Sequence, residues 1–299
     1  MKLRIGTRGS KLAMAQAREV AAGLAAHGVE GELVPIATSG DRGAPLSSSP
    51  AGAKGLFVAE IVRALQNGDV DLAVHSAKDL PSEDPSAVVV GAVPRRADPF
   101  DVLVTREPTL GEGAVVGTSA LRRRAQLARS RPELRARDLR GNVDTRLRKL
   151  AEGDVDAVVL AAAGLARLGI TPEHWTPLPL DEMVPAPGQG ALAVQARAND
   201  RAVLDIVRQL DDERSRAAFE AERGVVAAVG GGCALPLGAY AERRAEGVRV
   251  LAVVVRPDGT DLVWAQAEAA APADAAAEAA ATLLSGGAAE ILAEVRAAS

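Results

Sequence analysis

Hydrophobic positions along the chain alternate in short runs that are separated by stretches of helical spacing. Leu3 to Thr7 reads as a strand, Ser10 to Ala26 as an Ala-rich helix and Glu32 to Thr38 as a second strand. Ser39 to Lys54 is a Gly/Pro/Ser-rich loop, long enough to serve as a mobile lid. Leu56 to Gln66 returns to helical spacing, Val70 to His75 alternates after the Asn67-Gly68 stop, and Val88 to Val93 is β-branched. The pattern predicts a βαβαβ unit with a parallel sheet.

The plan then repeats. Ala114 to Gly117, Arg135 to Leu139 and Val155 to Leu160 read as strands, with helices from Ser119 and over Val143 to Ala151. Gly6-Thr7-Arg8-Gly9-Ser10-Lys11-Leu12 is echoed by Gly117-Thr118-Ser119-Ala120-Leu121, each followed by Ala-Gln. Asn67-Gly68-Asp69-Val70-Asp71 is echoed by Glu152-Gly153-Asp154-Val155-Asp156. Two similar α/β lobes explain these echoes better than one long sheet. Met183 to Gln189, rich in Pro and Gly, reads as a crossing between lobes, and Ala191 to Arg197 as a strand returning to the first. A helix over Ser215 to Ala228, strands Leu237 to Ala241, Val248 to Val255 and Leu262 to Ala267, and one or two Ala-rich helices form a small α+β domain. The expected division is 1–95 with 188–208, then 98–184, then 212–299.

Length agrees with this division, since 299 residues at roughly 150 per domain make two or three. Aromatic residues are only 2%, so the cores must be built from Ala, Val and Leu. One Cys excludes an intrachain disulfide framework, and one Cys with three His argues against a Cys/His zinc site. The opening Met1-Lys2-Leu3-Arg4-Ile5 lacks the apolar run of a signal peptide, and no apolar stretch approaches the ~18 residues needed to span a bilayer. A cytoplasmic, reduced setting is expected, with no membrane partner and a free thiol. Residues 121–150 hold eleven Lys/Arg against three acids, in a chain of net charge −4. Such a cluster asks for an anionic partner or a solvated face. The segment has no Phe, Trp or Tyr on which bases could stack, so small polyanions fit better than nucleic acid.

In open α/β sheets a ligand sits at the carboxyl ends of strands, where helix N-termini offer free N–H groups. Thr7, Arg8 and Ser10 mark that turn in the first lobe; Thr118, Ser119, Arg122 and Arg123 mark it in the second. A hydroxyl N-cap beside a guanidinium makes an anion site, and two matched turns outweigh ordinary capping. Arg140 and Arg146 flank Gly141-Asn142, and Arg167 follows Ala163-Gly164-Leu165, at turns that would converge on one cleft mouth. Arg129, Arg131, Arg135 and Arg137 fit a solvated face. His75-Ser76-Ala77-Lys78-Asp79-Leu80-Pro81 ends a first-lobe strand and points the same way. Asp79 beside Lys78 either stabilises a developing cation or moves a proton, or is a turn acid before Pro with a surface Lys. His75 itself reads as a satisfied core residue. Cys233 ends the Gly230-Gly231-Gly232 run, which leaves either a small core hydrophobe or, facing a basic cleft, an activated thiol fit to be a nucleophile or attachment point.

These segments together resemble the porphobilinogen deaminase (hydroxymethylbilane synthase) family along essentially the whole chain. The resemblance rests on Arg4-Ile5-Gly6-Thr7-Arg8-Gly9-Ser10, Lys54-Gly55-Leu56-Phe57, the His75 to Pro81 motif, Gly117 to Arg123, Leu139-Arg140-Gly141-Asn142-Val143, Pro185-Ala186-Pro187-Gly188-Gln189-Gly190 and Gly231-Gly232-Cys233. Their order and spacing carry it. Ala77 stands where relatives commonly have Met, and Gly230 stands where a variant of the motif has an acidic residue; the thiol of the motif is kept.

The resemblance implies an α/β fold with two similar periplasmic-binding-protein-like α/β lobes plus a small C-terminal α+β domain. It implies a transferase that joins four porphobilinogen molecules head to tail with loss of ammonia, primed by a dipyrromethane cofactor attached through a thioether to Cys233. Asp79 matches the catalytic residue; Lys78, Arg122, Arg123 and Arg146 match cofactor-carboxylate ligands, with Thr118 and Ser119 adding hydroxyl or backbone contacts. Arg8, Ser10, Arg140 and Arg167 match substrate and chain binding, Lys54 belongs to the loop over the cleft, and Gln189 lies at the lobe crossing as a further substrate-binding candidate. No metal is implied, and a monomer is expected. The rival readings are a two-lobed anion-binding protein without catalysis, which leaves Cys233 and the Lys78-Asp79 pair without purpose, and a polynucleotide binder.

Overall fold

A computed structural model describes residues 1–38, 52–230 and 235–298, with backbone alone over 52–57. The first lobe opens with β1 (Lys2–Arg8), α1 (Lys11–Ala26), β2 (Glu30–Ile36), α2 (Gly52–Asn67), β3 (Leu72–Ser76) and β4 (Val88–Ala92). The second contains β5 (Asp101–Thr105), β6 (Val115–Gly117), α3 (Leu121–Ser130), β7 (Arg135–Arg137), α4 (Val143–Ala151), β8 (Ala157–Ala161), α5 (Ala162–Arg167) and β9 (Trp175–Pro177). The chain then returns through β10 (Leu192–Arg197) and α6 (Arg201–Val207) to α7 (Glu213–Ala228), β11 (Leu237–Arg243), β12 (Val248–Val255), β13 (Leu262–Ala269), α8 (Pro272–Ser285) and α9 (Ala288–Ala297).

Among the described residues these strands make three sheets, ordered β2-β1-β3-β10-β4, β7-β6-β8-β5-β9 and β11-β12-β13. The two five-stranded sheets repeat one plan: parallel pairs at one end, then an antiparallel strand inserted beside the central one. In the first lobe β1 pairs in parallel with β2 and β3, while β10 lies antiparallel between β3 and β4. In the second, β6 pairs in parallel with β7 and β8, and β5 lies antiparallel against β8. The expected parallel sheet is therefore mixed. The chain crosses between lobes twice, and β5 and β10 each enter their sheet from the hinge side, which reverses their direction. β5 and β9 were not foreseen: the short apolar run Asp101 to Thr105 falls inside the expected second lobe without being read as a strand, and β9 is only three residues long.

Sequence periodicity explains the packing within each lobe. The buried residues of α1 (Ala13, Gln16, Ala17, Val20 and Leu24) recur every three or four positions and face the sheet. β3 is buried along most of its length, as befits a strand covered on both faces. In the C-terminal domain, α7 and α8 pack small residues such as Ala221 and Ala279 against Val250 and Ala252 of the antiparallel sheet. With so few aromatics, close approach of backbones replaces bulky side chains.

The two crossings run side by side. Ala97 N–H donates to the Gly190 carbonyl at 3.2 Å, and Gln189 Nε2 donates to the Pro99 carbonyl at 2.8 Å. Gly188 has φ +74°, and a Cβ there would lie 2.9 Å from the Ala77 carbonyl carbon, so this position needs glycine on two counts. Arg96 of the first crossing forms a bidentate pair with fully buried Glu222 of α7 (2.7 and 3.1 Å) and donates through Nε to the Gln189 carbonyl. Glu222 also accepts from the N–H groups of Gly188 and Ala241. Burial pushes the Glu222 carboxyl up, against the pull of Arg96. This node fastens both crossings to the C-terminal domain.

Candidate active site

The strand ends of the two lobes face each other across a cleft of two connected chambers, about 1010 and 840 Å³ and open to solvent. Lys78, Asp79, Arg123 and Arg146 line both. The larger chamber adds Arg8 and Ser10 from the turn after β1, Gly141 and Asn142 before α4, and Arg167 at the end of α5. The smaller adds Ala120, Arg122, Gln189 and Leu235, the last lying next to the Gly231–Ala234 stretch. Among the described residues, Asp79 is the one carboxylate lining either chamber.

Each basic group is placed by its local structure. Ser10 caps α1, its Oγ accepting from Ala13 N–H at 3.3 Å, as the sequence suggests. The second lobe does not match: its cap is Ala120, and Thr118, fully buried, turns its Oγ1 to Ala120 N–H at 3.3 Å. The expected hydroxyl N-cap is therefore absent there, because the helix starts two residues late. Neither α3 nor α4 has a side-chain cap, and the residues at their starts, Ala120 and Leu121 in one and Asn142 and Val143 in the other, line the chambers. Ser119 is half-buried and lines neither chamber.

Arg122 and Arg123 are each 5% exposed and share one buried carboxylate. Arg122 Nη2 donates to Asp101 Oδ2 at 2.8 Å; Arg123 Nη2 and Nε donate to Asp101 Oδ1 at 2.7 and 3.2 Å. Each also holds a carbonyl, Arg122 that of Val184 and Arg123 that of Val159. Burial alone would raise Asp101, but Arg122, Arg123 and Lys78 overcome it and hold the carboxyl down to about 2. Gln189 completes this node: its Nε2 donates to Asp101 Oδ1 at 3.0 Å and its Oε1 accepts from Lys78 Nζ at 3.4 Å. Gln189, expected among the substrate ligands, is fully buried and spends its amide on the scaffold. Lys78, desolvated and facing Arg123, falls to about 8, and Arg146, through desolvation and the same neighbour, to about 10. Cations crowded this closely favour a bound anion.

Other expected residues lie apart. Arg140 lines neither chamber; it is exposed and pairs with Asp138 at 3.2 Å. Arg131 pairs with Glu182 at 2.8 Å, away from the cleft. His75 is 5% exposed in the wall of the larger chamber, and burial brings it down to about 4, so the ring is neutral at pH 7. It is buried as expected, and Gln195 and Asp84 oppose the fall, although its Nε2 has no hydrogen-bond partner among the described residues and Gln195 turns its own Nε2 to Asp84. The side chain of Lys54 and all of Cys233 lie outside the described residues. Asp101 and Glu222 escaped the sequence reading because Asp101 opens a β-branched run and Glu222 sits among other charged residues, Glu220 and Arg223, on a helix. Such an acid marks a buried ion pair only once its partner is known.

Comparison with known proteins gives two family matches. A porphobilinogen deaminase, dipyromethane cofactor binding domain matches residues 3–205, and a porphobilinogen deaminase C-terminal domain matches residues 217–285. Similar curated proteins include the porphobilinogen deaminases of Brevibacillus brevis, 43% identical over 98% of this chain and 97% of that one, and of Rubrobacter xylanophilus, 46% identical over 99% and 98%. That of Roseiflexus castenholzii is 51% identical over 80% of this chain and 81% of its own length. Among solved structures, the methionine binding protein MetQ aligns over 70% of this chain and 89% of its own, at 14% identity and TM-score 0.43.

Proposed function

The chain belongs to the porphobilinogen deaminase family, and from that premise we propose that the cleft between its lobes performs the family's reaction with the residues described above. It is a transferase of tetrapyrrole biosynthesis, condensing four porphobilinogen molecules head to tail, with loss of ammonia, into hydroxymethylbilane on a dipyrromethane primer. We take residues 1–95 with 188–208, 98–184 and 212–299 as its domains, and Cys233 as the attachment point of the primer. A cytoplasmic monomer without metal or nucleic acid completes this reading.

The residues present fit a polycarboxylate primer. Lys78, Arg122, Arg123 and Arg146 line the smaller chamber together with Leu235, two positions along the chain from Cys233, and α3 brings an N-terminus without a side-chain cap. These groups would hold the acetate and propionate side chains through charge-assisted bonds. When bound, the dipyrromethane supplies the pyrrole ring to which the first substrate is joined. Arg8, Arg167 and the start of α4 line the chamber next to it and would receive the carboxylates of the substrate.

The observation that carries the reading is the position of Asp79, the one acid among the described residues that lines both chambers, in company with Lys78, Arg123 and Arg146. As the C–N bond of porphobilinogen breaks and ammonia leaves, a cation develops on the substrate. A fixed carboxylate opposes that charge without reorganising. The Asp79 carboxylate also accepts from pyrrole N–H groups and takes the proton shed by the attacked ring carbon.

Intact mass of the purified chain, before and after incubation with porphobilinogen, tests this directly. Addition of two linked pyrrole units on Cys233, and release of hydroxymethylbilane during turnover, is the expected result. A chain that porphobilinogen and preformed hydroxymethylbilane both leave unmodified would overturn it.

A further inference from the structure

Among the described residues five cations line the larger chamber with Asp79, and the carboxylate partners of Arg123 and Arg167 are of very different kinds. Arg123 is tied to Asp101, which is fully buried within the same lobe. Arg167 is tied to Glu19, which belongs to the other lobe: Nε to Oε2 at 2.8 Å and Nη2 to Oε1 at 3.5 Å. The Arg167 side chain is 8% exposed and Glu19 42% exposed. Arg167 faces the chamber, whereas Glu19 reaches it from the outer surface of α1 and is not part of the lining. Arg167 Nη2 also donates to the Gly190 carbonyl at 3.1 Å, so the guanidinium has a second anchor that does not depend on Glu19.

Two contacts show that this pairing belongs to the lobes as they stand together. A Cβ added to Gly164 on α5 would lie 3.7 Å from Leu12 of α1, and Lys11 of α1 pairs with Asp144 of α4 at 3.5 Å. Any parting of the lobes would withdraw Glu19 from Arg167, while the Gly190 anchor sits on the crossing.

We propose that Glu19 is a resident carboxylate that occupies Arg167 in the substrate-free enzyme and is displaced by a carboxylate of incoming porphobilinogen. The inference rests on the function proposed above. Substrate and Glu19 offer Arg167 the same chemistry, a planar anion for a bidentate bond, so they compete for one partner. Glu19 thereby weakens substrate binding at the rim and recaptures Arg167 when a product leaves. Glu19 is a positioning residue, acting only through Arg167.

The test is steady-state kinetics of the complete holoenzyme with Glu19→Gln, Glu19→Ala, Arg167→Gln and the double variant Glu19→Gln/Arg167→Gln. Removing the competitor should lower KM for porphobilinogen about two- to fivefold without raising kcat. The same change made on the Arg167→Gln background should leave KM where Arg167→Gln alone puts it. Intact mass under limiting substrate supplies a second readout, with longer enzyme-bound chains accumulating in Glu19→Gln than in the parent. A KM that is unchanged or raised in both Glu19 variants, or a fall that persists without Arg167, would overturn the inference. Failure of the parent enzyme to form hydroxymethylbilane would instead overturn the functional reading, and the two failures are distinguished by that control.

Discussion

Asp101 and Glu19 both neutralise arginines of one cleft, yet the two regions are built on opposite principles. Asp101 lies at the hinge end of β5, fully buried, and accepts from Arg122, Arg123 and Gln189 at 2.7 to 3.2 Å. Glu19 lies on an exposed helix face and reaches across the lobe boundary to one arginine. A buried carboxylate in low dielectric interacts strongly and cannot be replaced by water, so the floor of the cleft is fixed before any ligand arrives. A half-exposed one is screened and can trade places with solvent or with another anion. The floor therefore suits a permanently attached polyanion, and the rim suits one that must come and go.

Asp79 stands between these regions and belongs to neither, which sets the largest expected effect. Asp79→Asn should lower turnover about 10²- to 10⁴-fold, as loss of a positioned acid–base group does, while the melting temperature stays near that of the parent. Rapid product formation by that variant would remove Asp79 from the chemistry.

Asp101→Asn tests the floor itself. Taking one charge from a buried pair should cost about 3–5 kcal/mol of stability and loosen the grip on the primer, measured by denaturant unfolding and by intact mass. Glu19→Gln should change stability by only about 0.2–1 kcal/mol in the same assay. If the two costs were similar, the distinction between a fixed floor and an exchangeable rim would fail.

The floor also predicts a pH dependence. Lys78 falls to about 8 from a usual 10.5, because desolvation and Arg123 penalise its charged form in the folded protein. In the protein without its primer that charge is lost as pH rises through about 8, so capture of the primer by the apo-protein should weaken over the range from 8 upward. Between 8 and 10.5 the unfolded chain holds the proton more tightly, so this group's contribution to stability rises with pH in that window. Lys78→Arg, which keeps its charge, should flatten the alkaline limb of primer capture, followed by intact mass of the apo-protein after incubation with preformed hydroxymethylbilane. An alkaline limb unchanged in that variant would place the titration elsewhere.

Much of this architecture is legible in the chain because local signals carry it. The helix over Val143 to Ala151 and the strand Val248 to Val255 stand where periodicity puts them, and Ser10 caps α1 as its position suggests. The echo between the two halves anticipates two lobes of similar plan. The second-lobe cap, by contrast, fell on Ala120 instead of a hydroxyl, since similar letters do not oblige two turns to start their helices at the same residue. The reversed strands β5 and β10 were also hidden, because strand direction within a sheet depends on where the chain crosses.

By itself the sequence determined the lobes, the return strand, the motifs that identify the family and the residue types available for chemistry. Spacing of two or three to four residues fixes which face a side chain takes, and glycine and proline fix where the chain turns. Only the tertiary structure decided which charges remain for a ligand. Arg167 meets a partner 148 positions away, Arg96 one 126 away, and Arg122 and Arg123 share Asp101, 21 and 22 positions away on another element. Such pairings come from the packing of whole elements, and desolvation there sets the strength of each charge, so no local pattern records them.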